Sequence, residues 1–395
     1  MQDRASRELA RQWDARDPLA RFRRQFYRPA GQIYLDSDSL GLCSQEAERS
    51  LLRMLSNWKT KACERSRDGD FSSHETTARL ARIVGASADE IAIGTSRTFN
   101  LQQLLATIYR RQFYRLRILT DGISAPQNRE VLRQHLELRG LHGDSQLLVV
   151  GAEESRLLSE ETIEAAMSDP MVQMAVLPVV VAATGQLLDA PRLARAAREH
   201  GVMIGFDLSD SLGAMPHALE EWDVDFAFWD HEKFASAGPG AAAGLFLHRR
   251  HFAPAVSAAA KLHLDAPPLL STAALEGALR LIEEAALERL REKSLDLTHF
   301  LRAAIEREIP QLVFATPREA QHRGAHLALL HPDAGAICER LRANGVTANF
   351  REPDILGLAP APLYNSFVEC WDAVQILRRV MEQMPNESLE NEIAS

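Results

Sequence analysis

Asp207 closes the apolar run Val202–Phe206, and Lys233 follows the next apolar run, Phe226–Trp229. Short apolar runs of this length read as buried strands. In an open α/β sheet, ligands collect outside the carboxyl ends of the strands, so side chains leaving two such ends can face one cavity. A lysine amine condenses with an aldehyde to give a Schiff base. A carboxylate against a pyridine nitrogen keeps that nitrogen protonated and strengthens the ring as an electron sink. The run Ala237-Gly238-Pro239-Gly240 after the lysine lets backbone pass close to a ligand. The two residues also have plainer readings: a strand-end Asp often caps a helix, and a lone Lys is often a solvated charge.

Further groups could join them. Thr98 opens a helical pattern, and its hydroxyl with the first-turn amides suits an anion. Arg97 beside it suits a phosphate or a carboxylate gripped by two parallel bonds, or is a surface charge. His231 is a candidate for proton transfer, with a structural role as its alternative. Glu232 and Asp210 are candidates for a carboxylate pair doing acid–base work, or else they face solvent or cap helices.

The elements that must position these residues alternate along the chain. Ile91–Gly94, Leu116–Leu119, Leu147–Val150, Met174–Val181, Val202–Phe206, Phe226–Trp229 and Gly244–Leu247 have strand character. Thr98–Arg110, Glu130–Arg139, Ser159–Met167 and Pro191–His200 have helical spacing between them. Such alternation implies an α/β fold with a largely parallel sheet between helix layers. The unbroken apolar run Met174–Val181 fits a strand covered on both faces. A long helical pattern, Thr272–Glu306, then leads to a strand at His326–Leu330, a helix at Ala334–Asn344 closed by Gly345, a strand at Ala348–Phe350 and a helix at Cys370–Met384. The expected organisation is an N-terminal segment (1–50) packing on a small domain, a large α/β domain (51–275), a small α+β C-terminal domain (276–385) and a frayed tail (386–395).

Composition narrows the partners. The chain has 395 residues, 46% apolar and 25% charged, with a formal net charge of -9. That balance argues against binding a nucleic-acid backbone, which requires clustered Lys and Arg. No run approaches the ~18 apolar residues of a membrane span. The Arg-rich start lacks the apolar stretch of a secretory leader, so a cytoplasmic protein is expected. Cys43, Cys63, Cys338 and Cys370 lie far apart without metal-ligand spacing and read as reduced thiols, so no metal is expected.

The chain resembles the kynureninase branch of the fold-type I pyridoxal-phosphate (PLP) enzymes, within the aminotransferase class V superfamily. The segment Gly205 to Pro216 resembles the one that carries the cofactor Asp, and Asp223 to Gly240 the Schiff-base lysine segment. Tyr34-Leu35-Asp36 to Ser39-Leu40-Gly41 is similar to the family's N-terminal motif, and Pro267 to Ser271 to the start of its long helix. Phe350-Arg351-Glu352-Pro353-Asp354 and Pro362 to Phe367 are similar to its C-terminal signature. The resemblance implies PLP as cofactor, with Lys233 as the Schiff-base lysine and Asp207 on the pyridine nitrogen; Thr98 remains for the phosphate, and Arg97 beside it could compensate for lost phosphate donors or bind a substrate carboxylate. It also implies a homodimer with active sites at the interface and a small-molecule substrate.

Departures from that family lie at the site. Glu232 stands where the family has a phosphate-binding Tyr, and Asp210 where it has a His. Ala125-Pro126-Gln127-Asn128 replaces the run that stacks an aromatic ring on the pyridine, leaving Asn128 as the polar cofactor contact there. Ala266 replaces a polar phosphate ligand, the loop between Phe252 and Asp265 is shortened, and Gly357 stands where an Arg binds the substrate α-carboxylate. The expected function is therefore a kynureninase-like C–C hydrolase or lyase acting on an amino acid other than L-kynurenine, with an aryl amino acid of secondary metabolism as a fitting substrate. The alternatives are a protein of this fold that has abandoned PLP for other acid–base chemistry, or a non-catalytic binding dimer.

Overall fold

A computed structural model describes residues 5–60, 73–110, 112, 114–124, 126–151, 156–264 and 267–384. Cys63, Ala125, Ala266 and the tail 386–395 lie outside the described residues. After a short strand β1 (Ile33–Tyr34), seven strands form one sheet: β2 (Ile91–Gly94), β3 (Arg117–Asp121), β4 (Leu147–Val150), β5 (Val172–Pro178), β6 (Met203–Asp207), β7 (Phe226–Trp229) and β8 (Ala243–Leu247). Their order is β2-β8-β7-β6-β5-β3-β4. The inner pairs are parallel, and β8 runs antiparallel to both its neighbours. Each of the seven apolar runs becomes a strand here, with ends shifted by at most a few residues.

The strands alternate strictly between two cores, as their pleat requires. Ala175, Leu177, Ile204, Phe206, Ala227 and Trp229 face one core. Met174, Val176, Phe226, Phe228, Leu245 and Leu247 face the other. This double burial is why the strands read as continuous apolar stretches. Asp207 lies opposite Phe228 in the β6–β7 register, so the last residue of β6 and the loop after Trp229 leave the sheet at the same edge.

A second, antiparallel sheet has the order β12-β13-β10-β9, from β9 (Val313–Phe314), β10 (Leu327–Leu330), β12 (Asn349–Arg351) and β13 (Ile355–Leu358). One face packs Leu327, Leu329, Leu356 and Leu358 against a helical core that includes Phe300, Ile337 and Leu377. The short β11 (Val346–Thr347) pairs in parallel with β1. From there residues 35–41 cross to the large sheet: Asp36 bridges Ala359, and the Gly41 amide donates to the Glu232 carbonyl at 2.7 Å.

The sequence pattern suggests one helix over Thr272–Glu306. The structure divides it into Leu269–Ala285 and Leu287–Glu308, broken at Ala286 with φ +65°. No Gly or Pro marks the break. The helix Gln45–Thr60, which the sequence reading leaves unassigned, packs along Leu269–Ala285.

That helix contact depends on a missing side chain. A Cβ on Gly277 would sit 2.2 Å from the Glu46 carbonyl oxygen. Gly→Ala in a helix ordinarily stabilises by up to ~1 kcal/mol. At this position backbone must move, so Gly277→Ala is expected to destabilise by roughly 2 kcal/mol. Urea unfolding of the two proteins checks the sign, and a raised midpoint for the variant would refute the close contact.

Candidate active site

Asp207 is fixed from all sides. Its Oδ1 accepts from the Ser209 amide (3.0 Å) and the Ser209 hydroxyl (2.6 Å), a local turn typical of Asp. Its Oδ2 accepts from Asn128 Nδ2 (2.8 Å) and from Arg97 Nη1 (3.3 Å). Arg97 is the first residue of the helix Arg97–Ile108, whose N-cap Ser96 accepts from the Phe99 amide at 3.2 Å. Asp207 is the main cause of a raised Arg97 pKa; burial opposes it, and Asp230, Asp210 and Glu232 add to it. Thr98 stands in the same first turn, partly exposed.

Lys233 lies in the loop after β7, and its Nζ donates to Asp210 Oδ1 at 2.8 Å. Burial works against the ammonium, but Asp210 and then Asp230 outweigh it and hold the Lys233 pKa above its ordinary value. Asp230, at the end of β7, is pushed up to about 6, mainly by burial, with Lys233 and Arg97 opposing. Its Oδ1 is buried without a hydrogen-bond partner. Since Arg97 also acts on Lys233, the two ion pairs Arg97–Asp207 and Lys233–Asp210 belong to one charge cluster.

The structure brings Asp207, Arg97 and Asn128 into direct contact, and Lys233 with Asp210. It brings neither His231 nor Glu232 into contact with them. His231 is fully buried; its Nε2 accepts from Trp229 Nε1 at 2.8 Å and its Nδ1 bonds the Ala242 carbonyl. Burial drives its pKa down to about 4. With both ring nitrogens committed, the imidazole braces the loop and is not placed for proton transfer. Glu232 does not pair with Asp210. Its Oε1 accepts from the Gly240 amide at 2.7 Å, turning the carboxylate into a cap for the glycine turn.

Three groups that the sequence reading passed over complete the cluster. Asp38 is buried, and its Oδ2 accepts from Arg351 Nη2. Burial would raise the Asp38 pKa, but Arg351 and His326 pull it below the usual carboxylate range. Arg351 Nη1 is buried with no partner. His326 donates from Nε2 to the Ala182 carbonyl at 3.0 Å, and burial lowers its pKa, so the ring is neutral with an unpartnered lone pair at Nδ1. Asp38 and Arg351 sit inside the Tyr34–Gly41 and Phe350–Asp354 motifs; that placement was the available signal. Together the groups can take up an anion, hold a basic ring nitrogen and exchange a proton at an amine. Among the described residues no cluster of His, Cys, Asp and Glu could hold a metal ion, and no helix is long and apolar enough to cross a membrane.

Residues 290–377 match the kynureninase C-terminal domain family. A kynureninase from Geobacillus thermodenitrificans is 38% identical over 415 residues, covering 98% of this chain and 96% of that protein. One from Shouchella clausii is 37% identical over 417 residues, covering 98% and 97%. Among solved structures, the apo cysteine desulfurase of Thermococcus onnurineus superposes with a TM-score of 0.77 at 14% identity, covering 92% of this chain and 98% of that one. That likeness concerns the fold, and it agrees with the mostly parallel sheet described above.

The raised Asp230 pKa has a definite sign. Between the unfolded value of 3.8 and about 6, the folded protein binds the extra proton, so stability falls as pH rises through that window. Asp230→Asn is expected to leave stability at pH 3.5 nearly unchanged and to raise it at pH 8 by roughly 2 kcal/mol. Denaturant unfolding at both pH values checks this; equal differences at both would reject it.

Proposed function

The chain belongs to the kynureninase family, and on that premise we propose that it is a PLP enzyme cleaving a carbon–carbon bond of an amino acid other than L-kynurenine. The cleavage is hydrolytic, or a neighbouring lyase step, and an aryl amino acid of secondary metabolism is the substrate class we assign. The observation that carries this reading is the placement of Lys233 and Asp207: they leave adjacent strand ends and share one charge cluster.

The residues present fit the cofactor. Lys233 supplies an amine and Asp207 a carboxylate for the ring nitrogen. Asn128 Oδ1, on the side chain that contacts Asp207, is buried without a partner. When bound, the cofactor supplies an electron sink for negative charge at the reacting carbon. The chain's own residues do the rest. Asp207 keeps a proton on the ring nitrogen. Arg97, Thr98 and the first-turn amides of Arg97–Ile108 hold the phosphate. Asp210 Oδ1 lies where it can take the proton that Lys233 Nζ must lose to become a nucleophile.

A homodimer in the cytoplasm is the setting we assign. Supporting the dimer, Leu52, Trp58, Leu269 and Leu270 are exposed apolar side chains on two helices packed against each other. Gly357, a bare backbone position on β13 where the resemblance implies a carboxylate-binding Arg, supports a changed placement of the substrate carboxylate and with it a substrate other than L-kynurenine. One observation favours a second reading, in which the cleft works without PLP or only binds: each Asp207 oxygen already receives two protein donors.

Adding PLP to the purified protein is expected to give a visible absorption band that Lys233→Ala abolishes. No band at saturating PLP would sustain the second reading instead. Incubation of the loaded enzyme with aryl amino acids, followed by mass spectrometry, is expected to show turnover of at least one. L-Kynurenine turned over faster than all of them would overturn the substrate assignment.

A further inference from the structure

We propose that Arg351 is the anchor for the substrate's carboxylate, gripping it through Nη1 from strand β12. The inference deepens the functional reading above and rests on it for the position of the amine.

The geometry is that of a preset receptor. One arm of the guanidinium is tied down by Asp38, and the other, Nη1, is buried with no acceptor. A buried guanidinium N–H without a partner is costly unless something supplies an oxygen. Nη1 lies over bare backbone: a Cβ on Gly357 would sit 3.1 Å from it. In the β12–β13 register Asn349 pairs with Gly357 and Arg351 with Ile355, so these residues share one face of the sheet. The opposite face carries Leu356 and Leu358 into the helical core. Ile355 and Ala328, on the Arg351 face, pack with Ala183 from the loop after β5. The guanidinium therefore lies on the face turned towards the large sheet.

The crossing segment places it beside the lysine: Asp38, which holds Arg351, lies in the same short stretch as Gly41, whose amide donates to the carbonyl of Glu232, the residue before Lys233. Burial opposes the Arg351 charge, but Asp38 and then Asp210 raise its pKa, and Asp210 is the residue that holds Lys233. A ligand whose amine is received at Lys233 could thus extend a carboxylate to Arg351. Asp38 makes the Arg351 pair neutral in sum, which suits a singly charged carboxylate better than a phosphate. Gly357 is then a requirement of the receptor, because a side chain there would displace the guanidinium. The anchor comes from the strand next to Gly357, so it holds a carboxylate in a different place.

The test compares L-phenylalanine with 2-phenylethylamine, which share ring and amine and differ in the carboxylate. Calorimetric titration of the full-length protein is run with and without added PLP. The native protein is expected to prefer L-phenylalanine by about 30-fold, the scale of one hydrogen bond to a charged group. Arg351→Gln should erase that preference while changing 2-phenylethylamine affinity by less than ~3-fold. Because Arg351→Gln strands the Asp38 carboxylate, Asp38→Asn with Arg351→Gln is tested beside it, with near-ultraviolet circular dichroism to confirm packing. Arg351→Gln with Gly357→Arg, which returns a guanidinium from β13, should recover part of the preference. A preference that survives in both folded Arg351 variants overturns the proposal, as does a native protein that never distinguishes the two ligands. Absence of the Lys233-dependent band would sink the cofactor reading while the carboxylate preference is still read from the PLP-free titration.

Discussion

An ammonium buried at the carboxyl end of a sheet stays charged only if a carboxylate meets it, and the whole cleft is organised around that requirement. Lys233 is met by Asp210, Arg97 by Asp207 and Arg351 by Asp38. The partners come from five stretches of chain: residues 36–41, the start of the helix Arg97–Ile108, the end of β6, the loop after β7 and strand β12. Breaking such a pair by removing one member typically costs roughly 3–5 kcal/mol, because the other charge is left buried alone. The net stabilisation from the intact pairs is much smaller, since each ion was desolvated to form them. Their consequence is placement: each fixes where a distant segment must lie for the others to remain paired.

The sheet supplies the frame for this network. β6 and β7 are parallel neighbours in full register, so everything following their last residues emerges at one edge. Buried on both faces, these strands have little freedom to slide, because a one-residue slip would exchange their two apolar cores. Close packing adds to that rigidity. The Phe226 ring lies where a side chain on Gly205 would be, with a hypothetical Cβ only 2.1 Å from it. The loop carrying Lys233 is pinned in turn by His231, whose nitrogens join Trp229 at the strand end to Ala242 just before β8.

This division explains what the sequence makes visible. Strands covered on both faces leave continuous apolar runs, so β2 to β8 and the strand-end positions of Asp207 and Lys233 can be read directly. Amphipathic helices such as Gln45–Thr60, and two- to four-residue strands such as β9 and β13, carry patterns too weak to assign them. The break at Ala286 has no local mark at all. Asp38, Arg351 and His326 escape for a different reason. They gain chemistry only because residues 35–41 and the small sheet are folded against the lysine loop, contacts made across hundreds of residues. His231 misleads in the opposite direction: closeness to Lys233 in the chain suggested shared chemistry, while its side chain is directed into the packing beneath the loop.

Glu232 shows how the local and the long-range constraints meet. A carboxylate directly before the lysine would repel an anionic ligand if it faced the same cavity. Its Oε1 is taken up instead by the Gly240 amide, which the turn at Gly238 and Gly240, with φ of +92° and +73°, presents to it. The carboxylate thus becomes a brace across the loop, and its backbone carbonyl takes the Gly41 amide from the N-terminal crossing segment. One residue then ties the lysine loop to its own turn and to the segment that carries Asp38. The helix Arg97–Ile108 brings its N-terminus and Arg97 to the same charge cluster. The same Arg97 is the charge partner of Asp207, so the start of that helix and the end of β6 are coupled through one guanidinium.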